Sequence, residues 1–193
     1  MLKRDRLSTI RRPALLNLTT NYKARVAELP GLFRDVFTAS ESAEEGHAVG
    51  ALAEDLLSTT PEDDLICVLA LDGSVLSGCV LYTRLSYDQD PRQVFLMSPV
   101  AVRTDRQKTG IGQKLISFGL EELRLQGVDY TVTYGDPAYY QKVGFQQITE
   151  NFAQPPMPLS MPHGWLGQSL AGSETPIEGP SQCVSAFNRP ELW

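Results

Sequence analysis

Gln107-Lys108-Thr109-Gly110-Ile111-Gly112 and, about twenty-five residues on, Asp136-Pro137-Ala138-Tyr139-Tyr140-Gln141-Lys142-Val143-Gly144-Phe145 are the two stretches on which the fold turns. The first lies between strand-like residues 94–102 and a helical pattern over 110–126. Its glycines permit tight backbone approach. The first N–H groups of a helix have no intrahelical partner, so they can cradle a diphosphate with the helix dipole behind them. Glycines also precede helices merely to make a turn. A Walker loop is excluded because G-x-x-x-x-G-K-[ST] is absent, and the third Gly of a Rossmann fingerprint is missing. In the second stretch Asp136 is the N-cap of a short helix over 137–143, and residues 145–149 read as a strand.

Outward from these motifs, residues 14–22 read as a first strand, and 23–38 and 44–58 as two helices. Residues 65–71 (LICVLAL) make an apolar strand, Asp72-Gly73 signals a hairpin, and 75–86 return from it. Pro99 interrupts the strand 94–102, and a proline cannot donate to a ladder, so an irregularity is expected there. On the helix 110–126 the polar residues Gln113, Lys114, Ser117, Glu121 and Arg124 fall on one stripe, which predicts burial of the other faces against a sheet. Residues 130–134 form the next strand. From residue 151 the chain is rich in Pro and Gly, with regular patterning only at 166–170 and 183–187. The order is β-α-α-β-β-β-α-β-α-β, an α+β protein.

The chain has 193 residues, 42% of them apolar, enough for one core-bearing domain. No apolar run reaches the length of a bilayer span, so no membrane partner is expected. A net charge of −6 argues against nucleic acid as partner. The first twelve residues oppose that balance. Lys3, Arg4, Arg6, Arg11 and Arg12 against Asp5 leave them net +4, and they read as a basic flexible tail (1–12) before a single domain over 13–193. Cys67, Cys79 and Cys183 form no C-x-x-C pair, which suits reduced thiols and a cytoplasmic protein. The two histidines, His47 and His163, give no metal-ligand spacing, and no metal is expected.

Taken together, the two motifs resemble the signature of the GNAT superfamily of acyl-CoA-dependent N-acyltransferases. That signature is [RQ]-x-x-G-x-[GA] after the fourth strand, then Y-x-K-x-G-F, here complete as Gln107 to Gly112 and Tyr140 to Phe145. SPVAV before the first motif and GDPAYY in the second further resemble the YhbS-like group. The resemblance is specific over residues 94–145. It implies a GNAT fold: a central twisted, mostly antiparallel sheet, flanked by helices, whose fourth and fifth strands splay so that the pantetheine arm of acyl-CoA enters between them.

On that resemblance Val100, Ala101 and Val102 face pantetheine, while Gln107, Lys108, Thr109, Gly110, Ile111 and Gly112 take the diphosphate. Pro99 lacks an N–H, so a neighbouring amide such as that of Val100 polarises the thioester carbonyl. Tyr140 stands where the family keeps the hydroxyl that protonates the departing sulfur, with Tyr139 as the rival. The cosubstrate is acetyl-CoA or another acyl-CoA, and the acceptor is a primary amine. The family's usual Asn before the short helix is replaced by the Gly135-Asp136-Pro137 turn. No general base is assigned: His47 stands in an acidic patch with Glu41, Glu44 and Glu45, where a solvated face is the plainer reading. Two other readings stand beside the enzyme, a catalytically silent acyl-CoA-binding regulatory module and an adaptor that uses the C-terminal extension and Trp193. Oligomeric state is open, a homodimer included. The extension 151–193 is expected to complete the sheet, with residues 183–187 as the strand covering the far side of the fifth strand.

Overall fold

A computed structural model describes residues 16–193; the expected basic tail and the start of the first strand lie outside them. Strands β1 (Leu16–Thr19), β2 (Leu65–Asp72), β3 (Val75–Tyr87), β4 (Val94–Val102), β5 (Tyr130–Tyr134), β6 (Gln146–Gln147), β7 (Trp165–Ser169) and β8 (Ser181–Cys183) alternate with helices α1 (Leu29–Ser40), α2 (Ala43–Thr59), α3 (Ile111–Leu125) and α4 (Pro137–Tyr140). The sheet order is β1-β2-β3-β4-β5-β7-β6, with β8 on β3. Among the described strands only β4 and β5 pair in parallel.

Both faces of this sheet are covered, so strands such as β2 are apolar at nearly every position rather than at alternate ones. Cys67 and Leu69 of β2 face α1 and α2, where Leu29, Phe33 and Leu56 are buried. Ile66, Val68 and Ala70 face α3 through Leu115, Ile116, Leu120 and Leu123. The polar stripe read on α3 is its exposed face. On the other side α1 and α2 pack closely: a Cβ at Gly46 would stand 2.6 Å from the Arg34 carbonyl, so only glycine allows that crossing.

Three elements differ from expectation. The helix expected over 23–38 is a 3-10 segment, Lys23–Glu28, followed by α1. Pro30 has no N–H and is tolerated in a helix only in the first turn, so the α-helix begins at Leu29. The strand expected over 145–149 shortens to β6. The third difference concerns the extension. Its strand against β5 is β7, paired from Tyr130↔Ser169 to Tyr134↔Trp165. Residues 183–187 do not form that strand: Cys183 ends β8 on Leu85 of β3, and Ser185–Phe187 is a 3-10 turn burying Ala186 and Phe187. Their apolar content goes into the core beneath α1 and α2 instead. Gly167 weakens the strand signal of β7, yet it is required there, because a Cβ would stand 2.7 Å from the Tyr130 hydroxyl. Trp193 is 5% exposed, so it is core and not a surface presented to a partner.

Candidate active site

The last main-chain pair between β4 and β5 is Leu96↔Val132. One step on, the fully buried Thr133 hydroxyl donates to the Met97 carbonyl at 2.8 Å, and beyond it the strands part. Pro99 coincides with the separation. Val80 faces Val100 and Tyr82 faces Met97, so β4 carries one residue more than β3 across this step, a bulge at Ser98-Pro99. After the bulge the register fixes which groups face the gap. The Arg103 N–H donates to the Ser77 carbonyl of β3 at 2.9 Å, so by strand alternation Ala101 also turns its main chain toward β3. Val100 and Val102 turn theirs into the gap. The Val102 carbonyl there accepts from Gln107 Nε2 at 3.1 Å.

The loop from β4 to α3 carries two left-handed residues, Lys108 (φ 60°) and Gly110 (φ 82°). Lysine is uncommon in that conformation, and such an outlier points to a functional constraint. The first turn of α3 follows directly, and its N–H groups have no intrahelical partner. Thr109 Oγ1 closes the loop on the Arg106 carbonyl at 2.6 Å, and Arg106 pairs with Asp72 at 2.9 Å. Gly112 is a point of close approach: a Cβ there would collide with the Tyr139 hydroxyl.

These features open into one cleft of about 920 Å³. Of the residues singled out in the sequence, Val100, Val102, Gln107, Lys108, Gly110, Ile111, Gly112 and Tyr140 line it; Ala101 and Thr109 do not. Asp136 caps α4, accepting from the Ala138 N–H at 2.9 Å, and thereby aims the Tyr139-Tyr140 pair into the cleft. Burial first, then the Tyr139 phenol, push the Tyr140 hydroxyl up to about 12, against a smaller opposing pull from Thr133. Burial alone raises Tyr139. The cleft carries charges of both signs, the carboxylate of Asp136 among them. Arg106, Lys108 and Lys142 lie with the α3 side, while Glu41 and Glu45 of α1–α2 and Glu191 near the C-terminus supply carboxylates. His47 is exposed, its Nδ1 2.6 Å from the Ala43 carbonyl, and it does not line the cleft; His163 is exposed in the 3-10 turn Pro162–Gly164. The wall formed by Glu191 and Leu192 was not foreseen. Trp193 was its only local signal, an aromatic that a short terminal segment needs if it is to be anchored.

Three comparisons bear on this arrangement. The family described as "Acetyltransferase (GNAT) domain" matches residues 62–147. The chain is 30% identical over 139 residues to the uncharacterized N-acetyltransferase YjhQ of Escherichia coli K12, covering 67% of this chain and 77% of that protein. It is 30% identical over 122 residues to the uncharacterized N-acetyltransferase YhbS of the same strain, covering 62% and 68%. The crystal structure of E. coli YhbS in complex with CoA superposes with a TM-score of 0.73 at 24% identity, over 92% of this chain and 95% of that one. A GNAT acetyltransferase of Brucella melitensis in complex with acetyl-CoA gives 0.71 at 19% identity, over 91% and 99%. A parallel β4–β5 pair that opens beside a glycine-bearing helix start, in a chain this similar to YjhQ, places the protein in the GNAT family of N-acetyltransferases.

Proposed function

We propose that residues 13–193 form one acyltransferase domain that moves an acetyl or other acyl group from acyl-CoA to a primary amine by direct attack. The observation that carries the reading is the gap beyond Leu96↔Val132, where main-chain groups of Val100, the Val102 N–H and the Tyr140 phenol open on one cleft. The residues fit acyl-CoA. An extended pantetheine arm pairs with Val100 and Val102 as an added strand. Gln107, Lys108, Gly110, Ile111 and Gly112 hold the diphosphate, with the positive end of α3 behind it, and the Thr109 hydroxyl keeps that loop in shape.

In the reaction the amine nitrogen bonds to the thioester carbon, the carbon–sulfur bond breaks, and the CoA sulfur leaves with the electron pair. The acceptor nitrogen must first be neutral. An alkylamine loses its proton near pH 10.4 in water, so a carboxylate or water on the acidic side of the cleft has to accept it. The Tyr140 phenol, held protonated by burial, donates to the departing sulfur. A thiol pKa of about 8.5 lies below that of this phenol, so the phenol supplies a hydrogen bond at the transition state, and the proton shed by the nitrogen restores the balance. Free thiols at Cys67, Cys79 and Cys183 support a cytoplasmic setting, and no helix among the described residues is long and apolar enough to cross a membrane.

The test is acetyl-CoA turnover with a panel of primary amines, followed by thiol release. Amine-dependent thiol release that falls in Tyr140→Phe supports the reading. Tight acetyl-CoA binding with no turnover of any amine would favour the silent binding module instead.

A further inference from the structure

The lining of the acyl cleft divides between the two cores of the protein. Val100, Ile111, Tyr139 and Tyr140 pack with the core under α3. Phe37, Tyr134 and Leu192 pack with the core under α1 and α2, beside buried Val49 and Leu52. In the proposed function the groups that hold acyl-CoA come from β4, the β4–α3 loop and α4. The second wall is left for the acceptor. Of the charged residues at the cleft, Arg106, Lys108, Asp136 and Lys142 belong to the β4–α3 loop and the α4 turn, whereas Glu41 and Glu45 come from the α1–α2 side and Glu191 from the C-terminal turn.

This second wall is apolar and firmly held. Phe37, Tyr134 and Leu192 are each only half-buried, so all three leave apolar surface at the cleft. Tyr134 stacks on Trp193 at 6.4 Å and 21°. Its hydroxyl accepts from the Met161 N–H at 2.6 Å and lies 3.0 Å from Ser160 Oγ, which leaves the ring as its contribution to the cleft. The Leu192 N–H donates to the Arg189 carbonyl at 3.1 Å. Glu45, Val49 and Leu52, spaced i, i+4 and i+7, share one face of α2, so a carboxylate stands at the edge of the apolar surface.

The Tyr140 phenol approaches the departing sulfur from the α3 side, so the attacking nitrogen comes across the α1–α2 wall. An apolar surround there disfavours the ammonium and favours the neutral amine that can attack.

We infer that the acceptor is a primary amine carrying an apolar alkyl or aryl body, and that Leu192 and Phe37 determine this specificity by packing on that body while Glu191 draws in its cationic head. The inference rests on the acyltransferase reading. It assigns to the C-terminal turn a part in choosing the substrate.

The test is binding to the full-length protein saturated with CoA, which has no acyl group to transfer. Amine midpoints are read by calorimetry and the location by amide chemical shifts. Hexylamine is expected to bind about tenfold tighter than propylamine, less than full burial of the added methylenes would give because the wall is one-sided. Shifts should centre on residues 36–52 and 190–193. 5-Amino-1-pentanol, of hexylamine's length but with a polar end, should bind no better than propylamine. Leu192→Ala should reduce the hexylamine preference to about threefold with CoA affinity within about twofold of the parent, the mark of an intact fold. Glu191→Gln, at an exposed position, should weaken every amine about threefold and keep the preference. Equal midpoints for hexylamine and propylamine, or an undiminished preference in Leu192→Ala, would overturn the inference and leave the acyltransferase reading standing. Tighter binding of butyryl-CoA than of acetyl-CoA, lost in Leu192→Ala, would give the wall to the acyl group and overturn it as well. Failure of the parent to bind CoA would overturn both.

Discussion

Tyr139 and Tyr140 are neighbours in sequence, meet edge to face at 5.1 Å and both line the cleft, so only their surroundings assign their roles. Tyr140 also packs on Phe145 and is the more strongly raised of the two, whereas the Tyr139 hydroxyl lies over Gly112 at the start of α3. Tyr140→Phe is therefore expected to lower kcat roughly 10²-fold with acetyl-CoA affinity within a few-fold, the scale for losing one transition-state hydrogen-bond donor. Tyr139→Phe should act mainly on KM for acetyl-CoA. Steady-state kinetics of both variants decide it, and an unchanged kcat in Tyr140→Phe with a large loss in Tyr139→Phe would exchange the roles. At Gly112 any side chain must displace Tyr139, and on the proposed function it would also crowd the diphosphate. Acetyl-CoA should raise the Tm of the parent by binding the folded state, and Gly112→Glu should abolish that rise. Equal stabilisation of both proteins in thermal melts would remove the cradle from the mechanism.

At the scale of elements, the C-terminal turn is pinned at both ends. Arg189 pairs with Asp55 of α2, and Trp193 packs against Tyr134, Trp165 and Phe187 while its indole N–H donates to the Phe187 carbonyl at 3.0 Å. Between them Glu191 and Leu192 face the cleft. Replacing a buried Trp by Ala removes its transfer energy and leaves a cavity, so Trp193→Ala is expected to cost about 3 kcal/mol. In a chain of this length that is a Tm fall on the order of 10 °C. Met161→Ala, at a residue 56% exposed, should move Tm by a degree or two at most. A Trp193→Ala protein that melts with the parent would show the turn to be dispensable.

Over the whole molecule, burial raises the hydroxyls of Tyr82, Tyr87, Tyr130 and Tyr140 above the usual tyrosine range. In the unfolded chain these groups ionise near pH 10, whereas in the folded protein they hold their protons to higher pH. The stability they contribute is thus fully present below about pH 10 and is lost as pH rises through the folded values, because the unfolded state then binds fewer protons. Tm should be flat on this account up to about pH 9.5 and fall between about pH 10 and 12. Phenolate absorbance should rise together with unfolding. Free titration of all the tyrosines near pH 10 in a still-folded protein would contradict the burial.

Legibility in the sequence followed the range of the interaction. The β2–β3 hairpin, α3 with its exposed stripe, β5 and the Asp136 cap depend on local turn chemistry and on periodicity within one segment, and each stands where residue order places it. The glycine loop and Tyr140 were readable for the same reason, since each motif is contiguous. Pro99 announced an irregularity in β4, because a missing N–H is a property of the residue itself. What tertiary structure alone decided is long-range. β7 takes the place beside β5 because Gly167 fits over the Tyr130 ring, a match between residues 37 apart in the chain. Residues 184–187, though more apolar than β7, go under the helices instead. Glu191 enters the cleft because Trp193 finds an aromatic box made by its near neighbour Phe187 and the distant Tyr134 and Trp165. Residue order sets propensity and local turns; which of several apolar segments fills a given space is decided by packing, which no single segment encodes.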